Sequence, residues 1–123
     1  MITVDQVMAE SLLHIEAGMS ANEAAKLMKT HKVGSVFVRK DNRIIGIVTQ
    51  TDISWTERIP YYVRVEDIMS SPVIGIDWRR PITEAANMMD QHGTRHLAVL
   101  NGGSIVGILS VRDLLHPVSV DQL

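Results

Sequence analysis

The chain has 123 residues, 46% hydrophobic and 21% charged, with a formal net charge of −2 and no cysteine. That is enough apolar content to bury a core, and the missing thiols exclude disulfides, thiolate metal sites and cysteine nucleophiles. The slight acidity and an aromatic share of 4% argue against a nucleic-acid surface.

The first element is a short apolar strand, "LLHI" at 12–15. A helix follows, because Ala21, Ala24, Ala25 and Met28 recur at i, i+3, i+4 and i+7 and so line one face. Ser20 and Glu23 have the spacing of a capping box at its start. "GSVFV", "RKDN" and "RIIGIVT" then read as two strands joined by a tight polar turn. A second helix is expected from "QTDISWTERI", stopped by Pro60.

The same succession then begins again. "VIGI" at 73–76 is a strand, and Ile82, Ala85, Ala86 and Met89 repeat the helical spacing behind Pro81, which suits a first turn. "HLAVL", "NGGS" and "IVGILS" repeat the hairpin, and "VRDLLH" repeats the closing helix, stopped by Pro117. Shifted on itself by about 61 residues, the chain aligns without a gap, and about a quarter of the aligned positions are identical. The unit is β-α-β-β-α, written twice. The expected fold class is α+β, with repeats at 1–59 and 65–123 about a linker at 60–64. A unit that small has little core of its own, so the two are expected to pack about a pseudo-two-fold axis.

The repeated string carries the chemistry. "GIVTQTDI" (46–53) and "GILSVRDL" (107–114) each put a hydroxyl, Thr49 or Ser110, three residues before a carboxylate, Asp52 or Asp113. At a helix start this spacing serves N-capping. The same groups can hold a ribose or a phosphate, since a carboxylate offers two acceptor oxygens. Gly46 and Gly107 would let a ligand or another stretch of backbone come close. The second repeat adds Arg95, His96 and Arg112, cations suited to phosphate, where the first has Gly34, Ser35 and Thr51, with Lys32 nearby. Unequal sites are therefore expected.

His31 and His92 fall at helix ends, where capping or packing accounts for them, and the five histidines show no zinc spacing. The seven methionines and Trp55, Tyr61, Tyr62 and Trp78 read as packing or interface residues, with a place near a bound base as a second reading for Trp78 in the loop before its helix. There is no nucleophile beside a base, no paired catalytic carboxylates and no P-loop, so an enzyme is not expected. No apolar run reaches the ~18 residues of a membrane span, and the N-terminus has no signal-peptide pattern. The cytoplasm is the expected location.

The two G-h-h-[ST]-x-x-D strings, with "VMAESLLHI" and "IMSSPVIGI", the EAA helices, and "HKVGSVFVRKDNRIIG" and "HGTRHLAVLNGGSIVG", resemble CBS domains, and the chain resembles a stand-alone CBS pair, or Bateman module. The resemblance implies a regulatory module that binds an adenosine-containing ligand (AMP, ADP, ATP or S-adenosylmethionine) in the cleft between the repeats. It implies that Asp52 and Asp113 hold ribose and that Thr49 and Ser110 contact ribose or phosphate. Gly34 and Ser35, and Arg95 and His96, would then reach the phosphates. It also implies a homodimer and an effector protein modulated in trans. The rival readings are a structural dimerisation or interaction module with degenerate ligand sites and, behind it, nucleic-acid binding.

Overall fold

The computed structural model describes residues 1–56, 58 and 62–115. The expected stops at Pro60 and Pro117, the start of the linker, and Tyr61 lie outside the described residues.

The first repeat forms β1 (His14–Glu16), α1 (Ala21–His31), β2 (Ser35–Lys40), β3 (Arg43–Thr49) and α2 (Gln50–Ser54). A short helix α3 (Val65–Ile68) precedes the second set: β4 (Gly75–Asp77), α4 (Ile82–His92), β5 (His96–Asn101), β6 (Ser104–Ser110) and α5 (Val111–Leu115). A 3-10 turn at Val4–Gln6 stands ahead of β1 as α3 stands ahead of β4. These two turns are additions to the expected β-α-β-β-α pattern. β1 and β4 begin two residues later than "LLHI" and "VIGI". α2 is shorter than the string "QTDISWTERI", because the chain leaves the helix in a turn at Trp55 and Thr56.

Each repeat builds a three-stranded sheet, β1-β2-β3 or β4-β5-β6, with the first pair parallel and the second antiparallel. α1 and α4 supply the crossover that a parallel pair requires. The hairpin turns sit at Asp41 and Asn42 (φ 52 and 64) and at Gly102 and Gly103 (φ 59 and 85). Paired positive φ values match the right-handed twist of the flanking strands, and Asn, Asp and Gly tolerate them best. Even the β-bulge recurs, at Val38/Arg39 and at Val99/Leu100.

The helix faces match the spacing in part, with Ala25 and Ile82 half-buried. Ala21, Ala24 and Met28 are buried in α1, as are Ala85 and Met89 in α4, while Ala86 is exposed. Ser20 caps α1 by accepting the Glu23 N–H at 3.1 Å. Pro81 is the N-cap of α4 rather than its first helical residue.

Two compact units result, and their limits are not those of the sequence repeats. One unit is Leu13–Val73. Its core gathers Ile15, Ala24, Met28, Val36, Val38, Val48 and Val65. The other joins Met1–Leu12 to the chain from Ile74, around Val4, Ile76, Ala85, Met89, Leu97, Val99 and Leu109. In both units an incoming segment adds an antiparallel bridge to the last strand: Ser70 to Ile47, and Ala9 to Ile108. Gly46 and Gly107 make room for it. A Cβ at Gly107 would stand 2.5 Å from the Ala9 carbonyl oxygen, and one at Gly46 would stand 3.0 Å from that of Ser70 and against the Met69 thioether.

Candidate functional site

The hydroxyl–carboxylate pairs sit where a strand becomes a helix. Thr49 ends β3 in extended conformation and serves as the N-cap of α2. Its Oγ1 accepts the Asp52 N–H at 3.1 Å, and its own N–H donates to Asp52 Oδ2 at 2.8 Å. In the second repeat the Ser110 N–H donates to Asp113 Oδ2 at 2.8 Å, and the Asp113 N–H donates to Ser110 Oγ at 3.3 Å. Both pairs are complete capping boxes, so each satisfies helix-end donors without outside help. The box uses one carboxylate oxygen. Among the described residues Oδ1 of Asp52 and Oδ1 of Asp113 accept no hydrogen bond, and both side chains are half-buried. Each pair therefore holds a fixed carboxylate with an acceptor to spare.

The neighbouring strand brings the other expected residues alongside. Ser35 stands opposite Thr49 in the β2–β3 register, and His96 stands opposite Ser110 in β5–β6. The Gly34 carbonyl accepts the Gln50 N–H at 3.0 Å, and the Arg95 carbonyl accepts the Val111 N–H at 2.9 Å. The result is two candidate half-sites. Gly34, Ser35, Thr49 and Asp52 form one, and Arg95, His96, Ser110 and Asp113 the other. Each lies wholly within one compact unit.

The charges differ as the sequence suggests. Arg95 and Arg112 are exposed, and among the described residues neither meets a carboxylate. Lys32, the cation that the sequence puts near the first half-site, stands at the left-handed C-cap of α1 (φ 55). The matching C-cap in α4 is Gly93 (φ 63).

Two residues join the first half-site that the sequence does not single out as ligand contacts. Trp55 and Ile68 line a shallow open hollow of about 280 Å³ together with Asp52. The sequence reads Trp55 and Tyr62 as packing or interface residues; at 83% and 86% exposure neither packs into the described core, and the interface reading stays open. The available signal is the Asp52–Trp55 spacing of three, which sets both side chains on one side of the turn that ends α2. Trp78 does pack, against the core around Val4, with the Arg79 guanidinium 4.7 Å from its ring centre. His31 lies at the end of α1 with Nδ1 2.9 Å from the Leu27 carbonyl oxygen. Among the described residues no three His, Asp or Glu side chains gather as a metal site, and no helix is long and apolar enough to cross a membrane.

Known proteins share this fold. A 17.7 kDa protein of Acidianus ambivalens is 33% identical over 114 residues, which is 90% of this chain and 70% of the relative. A solved structure of a conserved protein from Pyrococcus horikoshii is similar at a TM-score of 0.75 and 31% identity, covering 94% of this chain and 91% of that one. The CBS domain pair of protein MJ0100, solved with 5′-methylthioadenosine and S-adenosylmethionine, has the same fold at a TM-score of 0.76 and 21% identity, with 94% of each chain covered. The sequence profile of the CBS domain matches residues 4–55 and again 65–119. With both repeats matched and both β-α-β-β-α sheets formed, the chain belongs to the CBS domain family and carries two CBS domains.

Proposed function

We propose that the chain is a ligand-sensing regulatory module that takes an adenosine-containing molecule (AMP, ADP, ATP or S-adenosylmethionine) at its half-sites and modulates a partner protein in trans. One observation carries the reading. In both repeats an aspartate is fixed through Oδ2 by the N–H of a Thr or Ser that pairs with the first residue of the neighbouring strand, and it keeps Oδ1 open. Such a carboxylate accepts a ribose hydroxyl at little cost in side-chain ordering. Thr49 and Ser110 add hydroxyls, and Arg95, His96 and Arg112 give the second half-site the charge for a phosphate, with Gly34, Ser35 and Lys32 at the first. The adenosine compounds held by the MJ0100 pair, which has the same fold, support the ligand class. The exposed Val111 and Leu115 of α5 support a homodimer as the working form.

Thermal unfolding against AMP, ADP, ATP, S-adenosylmethionine, GTP and NAD tests the proposal. A ligand at about 100 times its Kd adds roughly 2.7 kcal/mol to stability, which raises Tm by several degrees. The shift should shrink in Asp52→Asn or Asp113→Asn. A flat response to every compound, with the purified protein shown ligand-free by mass spectrometry, would sink it. The second reading, an interaction module with degenerate sites, has its own support. Both capping boxes are complete without a ligand, so the repeated motif already has a structural reason to exist.

A further inference from the structure

We infer that Trp55 is the base-stacking residue of the first half-site and sets its preference for a ligand with an aromatic base. The inference rests on the proposed reading of Asp52 as a ligand contact. Trp55 is 83% exposed, although an indole is among the side chains that gain most from being covered. It stands three residues after Asp52, at the C-cap of α2 with its backbone still helical (φ −67, ψ −15), so the ring and the carboxylate fall on the same side of the chain. The two line one hollow, of about 280 Å³, with Ile68 of α3 as an apolar wall. That volume is near the lower end of small-molecule sites, which begin at about 300 Å³.

The next residue in the chain anchors the backbone beside Trp55. Thr56 is buried and turns both its N–H (2.9 Å) and its Oγ1 (2.7 Å) back onto the Ile53 carbonyl oxygen. The backbone at Trp55 is therefore anchored while its side chain stays open. A planar ring beside a free carboxylate oxygen matches the two ends of a nucleoside: the base takes the ring and the ribose hydroxyls take the acid. Position 116, the counterpart of Trp55 in the second repeat, is a histidine, so the indole has no equivalent at that position of the second repeat.

The test is calorimetric titration with adenosine and with AMP in an Asp113→Asn background, which leaves the first half-site to be measured. Trp55→Ala should weaken binding roughly 5- to 150-fold, the usual loss for one stacked base, and Trp55→Phe should recover much of it. Indole fluorescence should respond to the ligand and lose that response in Trp55→Phe, while circular dichroism reports an unchanged fold. If Trp55→Ala binds as tightly as its parent while Asp52→Asn does not bind, the aspartate site stands and the stacking role falls. A change in mass by light scattering with unchanged affinity also overturns it, and makes Trp55 a self-association contact. Binding by the wild type that vanishes in the Asp113→Asn parent overturns it too, since the first half-site would then be empty. Absence of binding in the wild type overturns the sensor reading itself, and this inference with it.

Discussion

Asp52 and Asp113 serve a helix end through one oxygen and leave the other open, so substitutions there separate structure from binding. Asp52→Asn keeps an oxygen for the Thr49 N–H and loses the charge, which costs under about 1 kcal/mol at a partly exposed helix start. Asp52→Ala leaves that N–H unpaired and should cost about 1 kcal/mol or more. Chemical denaturation gives both values, and titration with AMP should show the Asn variant losing far more affinity than stability. Equal losses would assign the aspartate to capping alone. A second residue pair is just as sharp. Lys32 and Gly93 hold the same left-handed C-cap, at φ 55 and φ 63. That conformation costs a side-chain-bearing residue roughly 1–2 kcal/mol that glycine avoids. Lys32→Gly should therefore raise the denaturation midpoint and Gly93→Ala lower it; a fall for Lys32→Gly would mean that its side chain makes a stabilising contact. The hydroxyl–carboxylate pairs are legible in the sequence because capping is local, with donor and acceptor three residues apart. The left-handed Lys32 is not legible alone, since nothing in "HKVG" departs from a helix ending, and only its alignment with Gly93 exposes it.

The hairpins and amphipathic helices follow from periodicity, which is why the order of strands and long helices is legible in the sequence. The turns at Val4–Gln6 and Val65–Ile68 are not, because three or four residues are too few to display a helical period. The effect of these short segments is felt at the glycines of β3 and β6. The chain just after each turn lies against the last strand, bonded as Ala9 to Ile108 and as Ser70 to Ile47. Gly107→Ala drives a Cβ to 2.5 Å from a backbone oxygen, so a strand must shift. Gly46→Ala meets chiefly the Met69 side chain, which can swing away. Both should destabilise, by about 1–3 kcal/mol, with Gly107→Ala the worse of the two. Denaturant midpoints measured side by side decide the order. Equal or reversed losses would show that the strand beside β6 yields more readily than its geometry implies. The sequence leaves open whether a ligand or a backbone approaches these glycines, and in the structure the backbone does.

Sequence similarity divides the chain near residue 60, whereas packing divides it near 12 and 73. The two answers differ because similarity records how the repeats were written, while compaction records which sheet each segment reaches. Val4 belongs to the first repeat by sequence, yet it is fully buried among Ile76, Leu97, Val99 and Leu109. Val65, its counterpart, is fully buried among Ile15, Val36, Val38 and Val48. Each repeat thus lends the core of the other one valine and one bridging segment, and neither has a complete core from its own residues. Val4→Ala should cost about 1.5–3 kcal/mol, the worth of one buried valine, and the loss should be felt away from its neighbours in sequence. Native-state hydrogen exchange locates it. The amides of β5 and β6 should lose protection first, with those of β2 and β3 little changed, and Val65→Ala should give the opposite pattern. Protection lost from β2 and β3 in Val4→Ala would return Val4 to the first repeat and refute the division of the cores. The expected pattern would mean that ligand binding at Asp113 depends on the N-terminal dozen residues, so Val4→Ala should weaken the second half-site before the first.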